Sequence, residues 1–443
     1  MKTFAHGAKL KSLRLNLRQH WSLVLVGGIG AGIHVGTAAL RLNAFVPYPK
    51  LLDFSAFYAA AWSIRLGQSP YRLTSGFLNR LQLAQALPFV APPIYNPPLW
   101  PWLLQPLAMF RFPVAASVWL ALNLALLLWA SRALSQIAGV HDRRGRALVS
   151  LLVLTFGPVF LDLTLGQTSV VLLAVSLAIG RSLSDREAYP PAVAALASAF
   201  GVGAKLFPVT WLVAYPLMRR WRETVRISLS VLFIFALGFW MTPVTLRDYA
   251  DLQLIDRLAA SAGSPGVDDQ SLLAWLDRLA LPHSFQIPLL NPGDSRTVVW
   301  SPPWTVATQT VQLAGIILVG VLLIPGLLIL TRVTRTHHEA AFYVWILYSL
   351  TALLHIERYN HTLLLPAMAW LWSLRGRQRQ AAVLAYFLAG LARLTHLWAV
   401  ILPFPLGPLA SGFGLYSTLL VGAAVVVSLW SQRASPEVGR QPQ

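Results

Sequence analysis

The sequence predicts an all-α integral membrane protein, and three observations support this fold class. Of the 443 residues, 56% are hydrophobic and only 12% are charged, which is about half the charged fraction of soluble domains. Several apolar segments approach the roughly 20 residues that an α-helix needs to cross a bilayer. The 17 tryptophans are typical of aromatic belts at the membrane surface. We therefore expect residues 1–443 to form one polytopic membrane domain.

Composition also excludes several classes of protein. The chain has no cysteine, so a disulfide framework, a thiolate zinc site and a catalytic thiol are all impossible. Its net charge is +19, which in a polytopic protein reflects Lys and Arg in short cytoplasmic loops. A basic stripe with interleaved aromatic residues is absent, and we expect no nucleic-acid partner.

The first apolar stretch, near residues 22–40, follows a basic N-terminal segment. It is long for a signal peptide, and no small-residue cleavage site is obvious. We interpret it as the first transmembrane helix, with the N-terminus in the cytoplasm. We expect a multi-pass protein that is located in the plasma (inner) membrane.

Basic clusters between the apolar segments predict the topology. When every cluster is placed inside, about twelve crossings result and both termini are cytoplasmic. The predicted spans are 22–40, 114–134, 147–163, 168–183, 190–204, 206–218, 226–242, 306–331, 340–356, 361–374, 381–399 and 413–431. The apolar segment 97–110 is too short to cross, so we expect it in or along the outer leaflet. The region 190–218 is interpreted as two short helices that meet at Lys205.

Two long loops are expected on the external side, at 41–113 and 243–304. The second loop is rich in Pro, Gly and Asp. Such a composition favours irregular structure with short surface helices. Most acidic residues outside the cytoplasmic segments lie in these two loops, so external chemistry is expected there.

Asp53 is the main candidate for a catalytic residue. It lies in the first long loop, just past the first apolar segment, where the membrane helix meets water. A carboxylate at such a position can act as a general base that deprotonates a hydroxyl group. Alternatively, Asp53 caps a helix.

Further polar residues are predicted to converge on the same external side. They are Asp162, Gln167, Lys205, His355, Glu357, Arg358, Tyr359, Asn360 and His361. Placing a charged group within the bilayer costs free energy, so such residues are usually functional. A Lys or Arg side chain in this position can bind a phosphate group. This set suits transfer of a group from a lipid phosphate carrier to an acceptor hydroxyl.

Simpler interpretations of these residues stay open. Lys205 snorkels to the interface in one alternative, and His355 and His361 are ordinary polar loop residues in another. In two further alternatives, Asp162 forms a contact with a neighbouring transmembrane span, and Gln270 belongs to a structural turn. The known glycine-rich phosphate loops are absent, as is an Asp-x-Asp pair. We therefore expect neither a metal ion nor another cofactor.

Five sequence motifs, in order, resemble those of glycosyltransferase family 87. The first is Asp53-Phe54-Ser55-Ala56-Phe57-Tyr58 with Gly67-Gln68-Ser69-Pro70-Tyr71. The others are Tyr95-Asn96-Pro97-Pro98-Leu99, Gly166-Gln167, Lys205-Leu206-Phe207-Pro208 and Asp269-Gln270-Ser271-Leu272. The resemblance extends over about residues 20–375. It departs from the family pattern at Asp269, where Asn is usual, and before His361, where Trp is usual.

The resemblance implies a GT-C fold enzyme that uses a polyprenyl-phosphate sugar, with mannose as the family expectation. Asp53 would be the base in a direct, inverting transfer at the outer, periplasmic face. The second catalytic residue, the family's histidine, would fall on His361 and contact the donor phosphate, with His355 as the competing assignment. The implied donor site contains Lys205, Arg358, His355, Gln167, Tyr58, Tyr95 and Gln270. The acceptor would be a glycolipid or a glycan.

The main alternative is a polytopic transporter or a lipid or glycan flippase. Such proteins often have internal repeats and a polar site at the membrane midplane. Here the polar residues collect at one side and the loops are unequal, which favours the enzyme. A polymerase or ligase of lipid-linked glycans would need more cationic residues than the sequence offers.

Overall fold

The protein is described by a computed structural model that covers residues 24–184, 189–251, 269–288, 295–333, 337–353, 356–374 and 376–434. The described chain is mostly helical. Its helices are α1 (Val24–Ala39), α2 (Leu52–Arg65), α3 (Ser75–Gln85), α4 (Leu99–Leu103), α5 (Phe112–Ile137), α6 (Arg143–Thr155), α7 (Gly157–Leu165), α8 (Ser169–Leu183), α9 (Pro191–Ala204), α10 (Ala214–Leu217), α11 (Trp221–Trp240), α12 (Leu246–Ala250), α13 (Leu272–Ala280), α14 (Thr308–Arg332), α15 (His338–Thr351), α16 (Leu365–Ser373), α17 (Arg377–Ala392), α18 (Thr395–Ile401), α19 (Leu406–Ser411) and α20 (Phe413–Ala434). Short 3-10 turns cover Leu42–Phe45, Leu107–Met109, Phe207–Val213 and Arg358–Leu364.

The helices support an integral membrane protein. Four of those described, α5, α11, α14 and α20, are long and apolar enough to cross a bilayer. Two bent pairs raise this number to six if each is one span: α6 with α7, bent by 57°, and α17 with α18, bent by 63°. Other predicted spans coincide with shorter helices such as α8 and α9. The all-α membrane class is confirmed, whereas twelve crossings stay a prediction.

Proline and extended backbone explain the breaks between helices. Pro158 occupies the first turn of α7, where a missing backbone N–H costs nothing, and it follows the bend after α6. Helix α9 ends at Ala204 because Lys205 adopts an extended conformation (φ −155°, ψ 139°), and a 3-10 turn follows. The structure therefore has the predicted break at Lys205.

The first long loop packs into a hydrophobic core that it shares with α5. Helix α2 packs against α4 and α5, and the core contains Phe54, Phe112 and Trp119. The segment 97–110 forms only α4 and a 3-10 turn, both much too short to cross. Most of α2 is buried, so this loop is a folded platform for the residues at its start.

The second long loop differs from the prediction of an irregular loop with helices. It contains α12 and α13, but also an antiparallel hairpin of β1 (His283–Pro288) and β2 (Ser295–Trp300). Phe285 and Trp300 of the hairpin pack on Ala399. The strands were missed because Pro288 and the turn-forming sequence Asn291-Pro292-Gly293-Asp294 indicate irregular structure rather than strands.

The main core surrounds α15, which is buried along nearly its whole length. This helix packs against α8, α14 and α20. A helix that is apolar on all sides belongs in the interior. The 3-10 turn Arg358–Leu364 follows shortly after α15 and packs against α7, α8 and α20. The polar residues of this turn are therefore held inside the protein.

Candidate functional site

Asp53 lies in the first turn of α2, where the helix dipole favours a carboxylate. The N-cap residue of this helix is Leu51, so the interpretation of Asp53 as a simple cap is not supported. Leu51 is buried and has a left-handed backbone (φ 34°, ψ 75°). Asp53 itself is half-buried. The chain thus directs a carboxylate towards the protein interior at the start of a buried helix.

The turn between α7 and α8 supports the start of α2. Gly166 ends α7 with φ +74°, and a Cβ atom there would lie 2.7 Å from Cβ of Phe54. The Trp119 indole N–H donates a hydrogen bond of 3.0 Å to the Gly166 carbonyl. The next residue, Gln167, hydrogen-bonds the Asp53 carboxyl group through its side chain. Gly166 therefore permits the close approach that brings Gln167 to Asp53.

We predict that Gly166→Ala destabilises the protein more than Gly67→Ala does. Both glycines have φ near +70°, a conformation that costs other residues about 1 kcal/mol or more. Only Gly166 also has neighbours that a Cβ atom would meet, whereas Gly67 has open space. The thermal unfolding midpoint in detergent measures the difference. Equal midpoints for the two variants would contradict the tight contact between Gly166 and α2.

Asp162 has a local structural role in the same turn. It is fully buried. Its carboxylate accepts hydrogen bonds from the backbone N–H groups of Ser169 (2.7 Å) and Val170 (3.3 Å) at the start of α8. Helix N-termini need such acceptors. Asp162 thus fixes the turn that carries Gln167, and these contacts are with its own neighbouring helix.

Lys205 approaches from the other side, at the end of α9. Its Nζ donates a hydrogen bond of 3.2 Å to Oδ1 of Asn360. The ammonium also lies 5.0 Å from the ring centre of Tyr359 and 5.8 Å from that of Phe207, distances typical of cation–π contacts. Because the ammonium lies among these protein groups, simple snorkelling to the interface is not supported.

The electrostatic environment of Asp53 joins three parts of the chain. Burial raises the pKa of the Asp53 carboxyl to about 6. The hydrogen bond from Gln167 opposes this shift, the negative charge of Glu357 adds to it, and the positive charge of Lys205 again lowers the pKa. The structure therefore brings Asp53, Gln167, Glu357 and Lys205 into one polar site. The sequence predicted Glu357 as a member of the converging polar set but gave it no individual role.

Arg358 and His361 are both buried in the 3-10 turn that follows Glu357. Nη1 of Arg358 donates to the Arg393 carbonyl at 3.4 Å. Nδ1 of His361 lies 3.1 Å from Oγ1 of Thr418 in α20. These hydrogen bonds connect both side chains to α20 and to the end of α17, not to Asp53 or Lys205. The assignment of Arg358 to donor binding and of His361 to catalysis therefore stays a prediction. His355 lies outside the described residues.

Gln270 fastens the second long loop to the rest of the protein. Its side-chain N–H donates to the Ser411 carbonyl at 2.8 Å, and its side-chain oxygen accepts from the Gly414 N–H at 3.1 Å. Its backbone N–H donates to the Ile356 carbonyl at 2.7 Å. Asp269 accepts from the Ile356 N–H at 3.0 Å. Both residues thus fix the backbone next to Glu357, which fits the interpretation of a structural turn.

The two predicted tyrosines have different surroundings. Tyr58 is buried, donates to the Phe110 carbonyl at 2.7 Å and packs on Phe112, so it belongs to the core below α2. Tyr95 is partly exposed. Its neighbour Asn96, which the sequence did not single out, donates to the Ala204 carbonyl at 2.6 Å. This bond holds the residue before Lys205, and its sequence signal is the turn-forming Asn96-Pro97-Pro98.

Within the described ranges, no group of three His, Asp or Glu side chains is arranged to hold a metal ion. Metal independence itself stays an expectation, because this arrangement does not test it. The chemistry available to the described site is that of carboxylates, an ammonium and amide groups.

Comparison with known families decides the family of this chain. The sequence profile of glycosyltransferase family 87 matches residues 94–356, which is more than half of the chain. The chain belongs to glycosyltransferase family 87. It is therefore a membrane glycosyltransferase, and the suspected family is confirmed. A search of curated proteins finds no match.

The family 87 match covers part of the site. Tyr95, Gln167, Lys205 and Gln270 lie within the matched residues. Asp53 precedes them, and the turn that contains Arg358 and His361 follows them. The contacts described above connect these flanking parts to the matched segment, because Gln167 bonds Asp53 and Lys205 bonds Asn360.

Proposed function

We propose that this glycosyltransferase moves a hexose, with mannose as the first candidate, from a polyprenyl-phosphate carrier to a hydroxyl group of a glycolipid or glycan. The observation that carries the proposal is that a half-buried carboxylate, Asp53, shares one polar site with Lys205, whose ammonium is near enough to lower the pKa of Asp53. A base and a phosphate-binding cation are the two groups that such a transfer needs.

The proposed reaction is a direct displacement. The acceptor oxygen attacks C1 of the sugar while its proton passes to the Asp53 carboxylate. The bond between C1 and the phosphate oxygen breaks, and its electron pair leaves with the polyprenyl phosphate. Lys205 stabilises the negative charge on this leaving group, and Arg358 is proposed as a further cation for it. Because attack and departure occur on opposite faces of C1, the anomeric configuration inverts.

The pKa of Asp53 suits this role. A general base works best when its pKa lies near the operating pH while most of it is still deprotonated. With a pKa of about 6, Asp53 is mostly ionised at neutral pH and yet more basic than an ordinary carboxylate. Gln167, through its hydrogen bond, is proposed to orient the carboxylate. His361, in the turn that also carries Arg358, is proposed to contact the donor phosphate.

We further propose a GT-C arrangement with the site at the periplasmic side of the inner membrane. The distribution of basic clusters in the sequence supports this orientation, because Lys and Arg favour the cytoplasmic loops. The apolar tail of the donor would lie between membrane helices, open to lipid. Helices such as α11 and α14, which expose many large apolar side chains, offer surfaces of this kind.

The donor class is tested with purified protein in lipid nanodiscs. Radiolabelled polyprenyl-phosphate mannose and GDP-mannose are supplied separately, with a membrane lipid extract as acceptor. We expect label in the acceptor only from the lipid-linked donor, and an anomeric configuration opposite to that of the donor. Transfer from GDP-mannose alone would overturn the proposed donor. Uptake of the lipid-linked sugar into liposomes without any transfer would favour the transporter.

A further inference from the structure

We infer that Asn360 is a positioning residue that holds the Lys205 ammonium in place for the departing phosphate. The inference rests on the proposed function, and it assigns a role to a side chain that the reaction described above does not use. It is carried by the contacts between Asn360, Lys205 and Ser169, which join separate elements of the fold.

The amide oxygen of Asn360 is the meeting point of these contacts. It accepts a hydrogen bond from Nζ of Lys205 at 3.2 Å and another from Oγ of Ser169 at 3.4 Å. Asn360 is almost completely buried. An asparagine oxygen has two lone pairs, and both are used here. The amide thus connects the extended residue after α9 with the first residue of α8.

The backbone around Asn360 is fixed as well. Its N–H donates to the Glu357 carbonyl at 2.9 Å, and the turn around it packs on α7 and α8. The rings of Tyr359 and Phe207 further confine the ammonium. A lysine side chain has four rotatable bonds and loses much entropy when it is ordered. Asn360 therefore pre-organises a flexible cation before the donor arrives.

Ser169 connects the Asn360 amide to the turn that supports the proposed base, Asp53. Its backbone N–H is bound by Asp162, and it directly follows the turn that carries Gly166 and Gln167. The position of Lys205 is thus coupled to the turn that supports Asp53. The distance between base and cation must match the distance between acceptor oxygen and phosphate, and small misplacements are costly in such sites.

The test is a double-mutant cycle with Asn360→Ala, Lys205→Met and the combined variant. The transfer rate and the affinity for polyprenyl-phosphate mannose, followed by tryptophan fluorescence, are both measured. We expect Asn360→Ala alone to reduce the transfer rate by roughly tenfold or more, since a hydrogen bond to a charged group is lost. In the Lys205→Met background the same change should have an effect of about twofold or less on rate and affinity.

Two further variants separate positioning from folding. Asn360→Asp keeps an acceptor oxygen for Lys205 and should retain more activity than Asn360→Ala. Asn123→Ala removes a buried amide whose N–H donates to the Trp119 carbonyl of its own helix. This control should retain the transfer rate and the donor affinity of the wild type. If Asn360→Ala lowers activity only in proportion to a loss of folded protein, the inference is wrong.

The outcomes also distinguish this inference from the proposed function. Fully additive effects of Asn360→Ala and Lys205→Met, with both variants impaired, would overturn the positioning role and leave the proposed function intact. Full activity of Lys205→Met would show that Lys205 does not stabilise the leaving group and that Asn360 therefore has no positioning role in the reaction. When the rate of Lys205→Met is too low to measure, the donor affinities of the four proteins still complete the cycle.

Discussion

The Asp53→Asn protein is expected to fold normally and to transfer sugar roughly 10²- to 10⁴-fold more slowly than the wild type, the usual contribution of a general base. The substitution keeps the shape of the side chain and its position at the start of α2. It removes the group that accepts the proton of the acceptor hydroxyl. The donor is bound by other residues in this account, so its affinity should change little. The rate of label transfer with saturating donor and acceptor measures the effect.

A matched control for this change is Asp251→Asn. Asp251 is half-exposed and pairs with Arg247 one helical turn away, and exposed ion pairs of this kind contribute little to stability. This control should retain the wild-type rate. If folded Asp53→Asn protein, verified by circular dichroism and gel filtration, transfers sugar as fast as Asp251→Asn, Asp53 is not the base.

Replacement of Lys205 by Met should have the second-largest effect, a loss of roughly 10²- to 10³-fold in the rate of transfer. Methionine keeps the length and most of the apolar surface of the lysine stem but removes its charge. The departing phosphate then lacks the ammonium that Asn360, Tyr359 and Phe207 hold in place. The affinity for the donor should fall together with the rate, because the ground-state phosphate also uses this cation.

Lys50→Met is a suitable control, because Lys50 is exposed and lies just before α2. Lys205→Arg keeps the charge, but its planar fork does not reproduce a compact ammonium, so we expect partial activity. Wild-type rates in Lys205→Met, measured at several donor concentrations, would show that this lysine has no part in leaving-group stabilisation.

The sequence predicted the parts of the fold that depend on local pattern. Apolar length and charge indicated the membrane class, and Lys205 marked a break that the structure has at the end of α9. The number of crossings could not be obtained in the same way. The helices α8 and α9 are short but packed within the core, and hydropathy does not separate a short buried helix from a span.

The site was predicted in its components but not in its contacts. Asp53 and Lys205 stood out as charged groups beside apolar segments, and Gln167 stood out through its motif. Glu357 and Asn360 were predicted only as members of a polar turn, and Asn96 only as part of a motif. None of the three was given a role of its own, because their roles depend on neighbours far along the chain: the partner of Asn96 is the Ala204 carbonyl. The backbone groups that Gln270 and Tyr58 bind could not be predicted, because they lie far from these residues in the sequence. The assignment of both residues to the donor site stays a prediction.

The pH dependence of sugar transfer shows whether Asp53 is the base. Only the ionised carboxylate can accept a proton. Because burial raises the pKa of Asp53 to about 6, the rate should be retained above this pH and lost as the pH falls through it. Gln167→Leu removes a hydrogen bond that lowers the pKa, so its acid limb should move to higher pH. Glu357→Gln removes a negative charge that raises the pKa, so its limb should move to lower pH.

The measurement is the single-turnover rate of mannose transfer from about pH 5 to about pH 8 in the wild type and these two variants, since pH–rate profiles report the pKa of an essential base. We expect an acid limb near the pKa of Asp53 that moves to higher pH in Gln167→Leu and to lower pH in Glu357→Gln. Three coincident profiles, or a wild-type rate that does not decrease at acidic pH, would contradict Asp53 as the base.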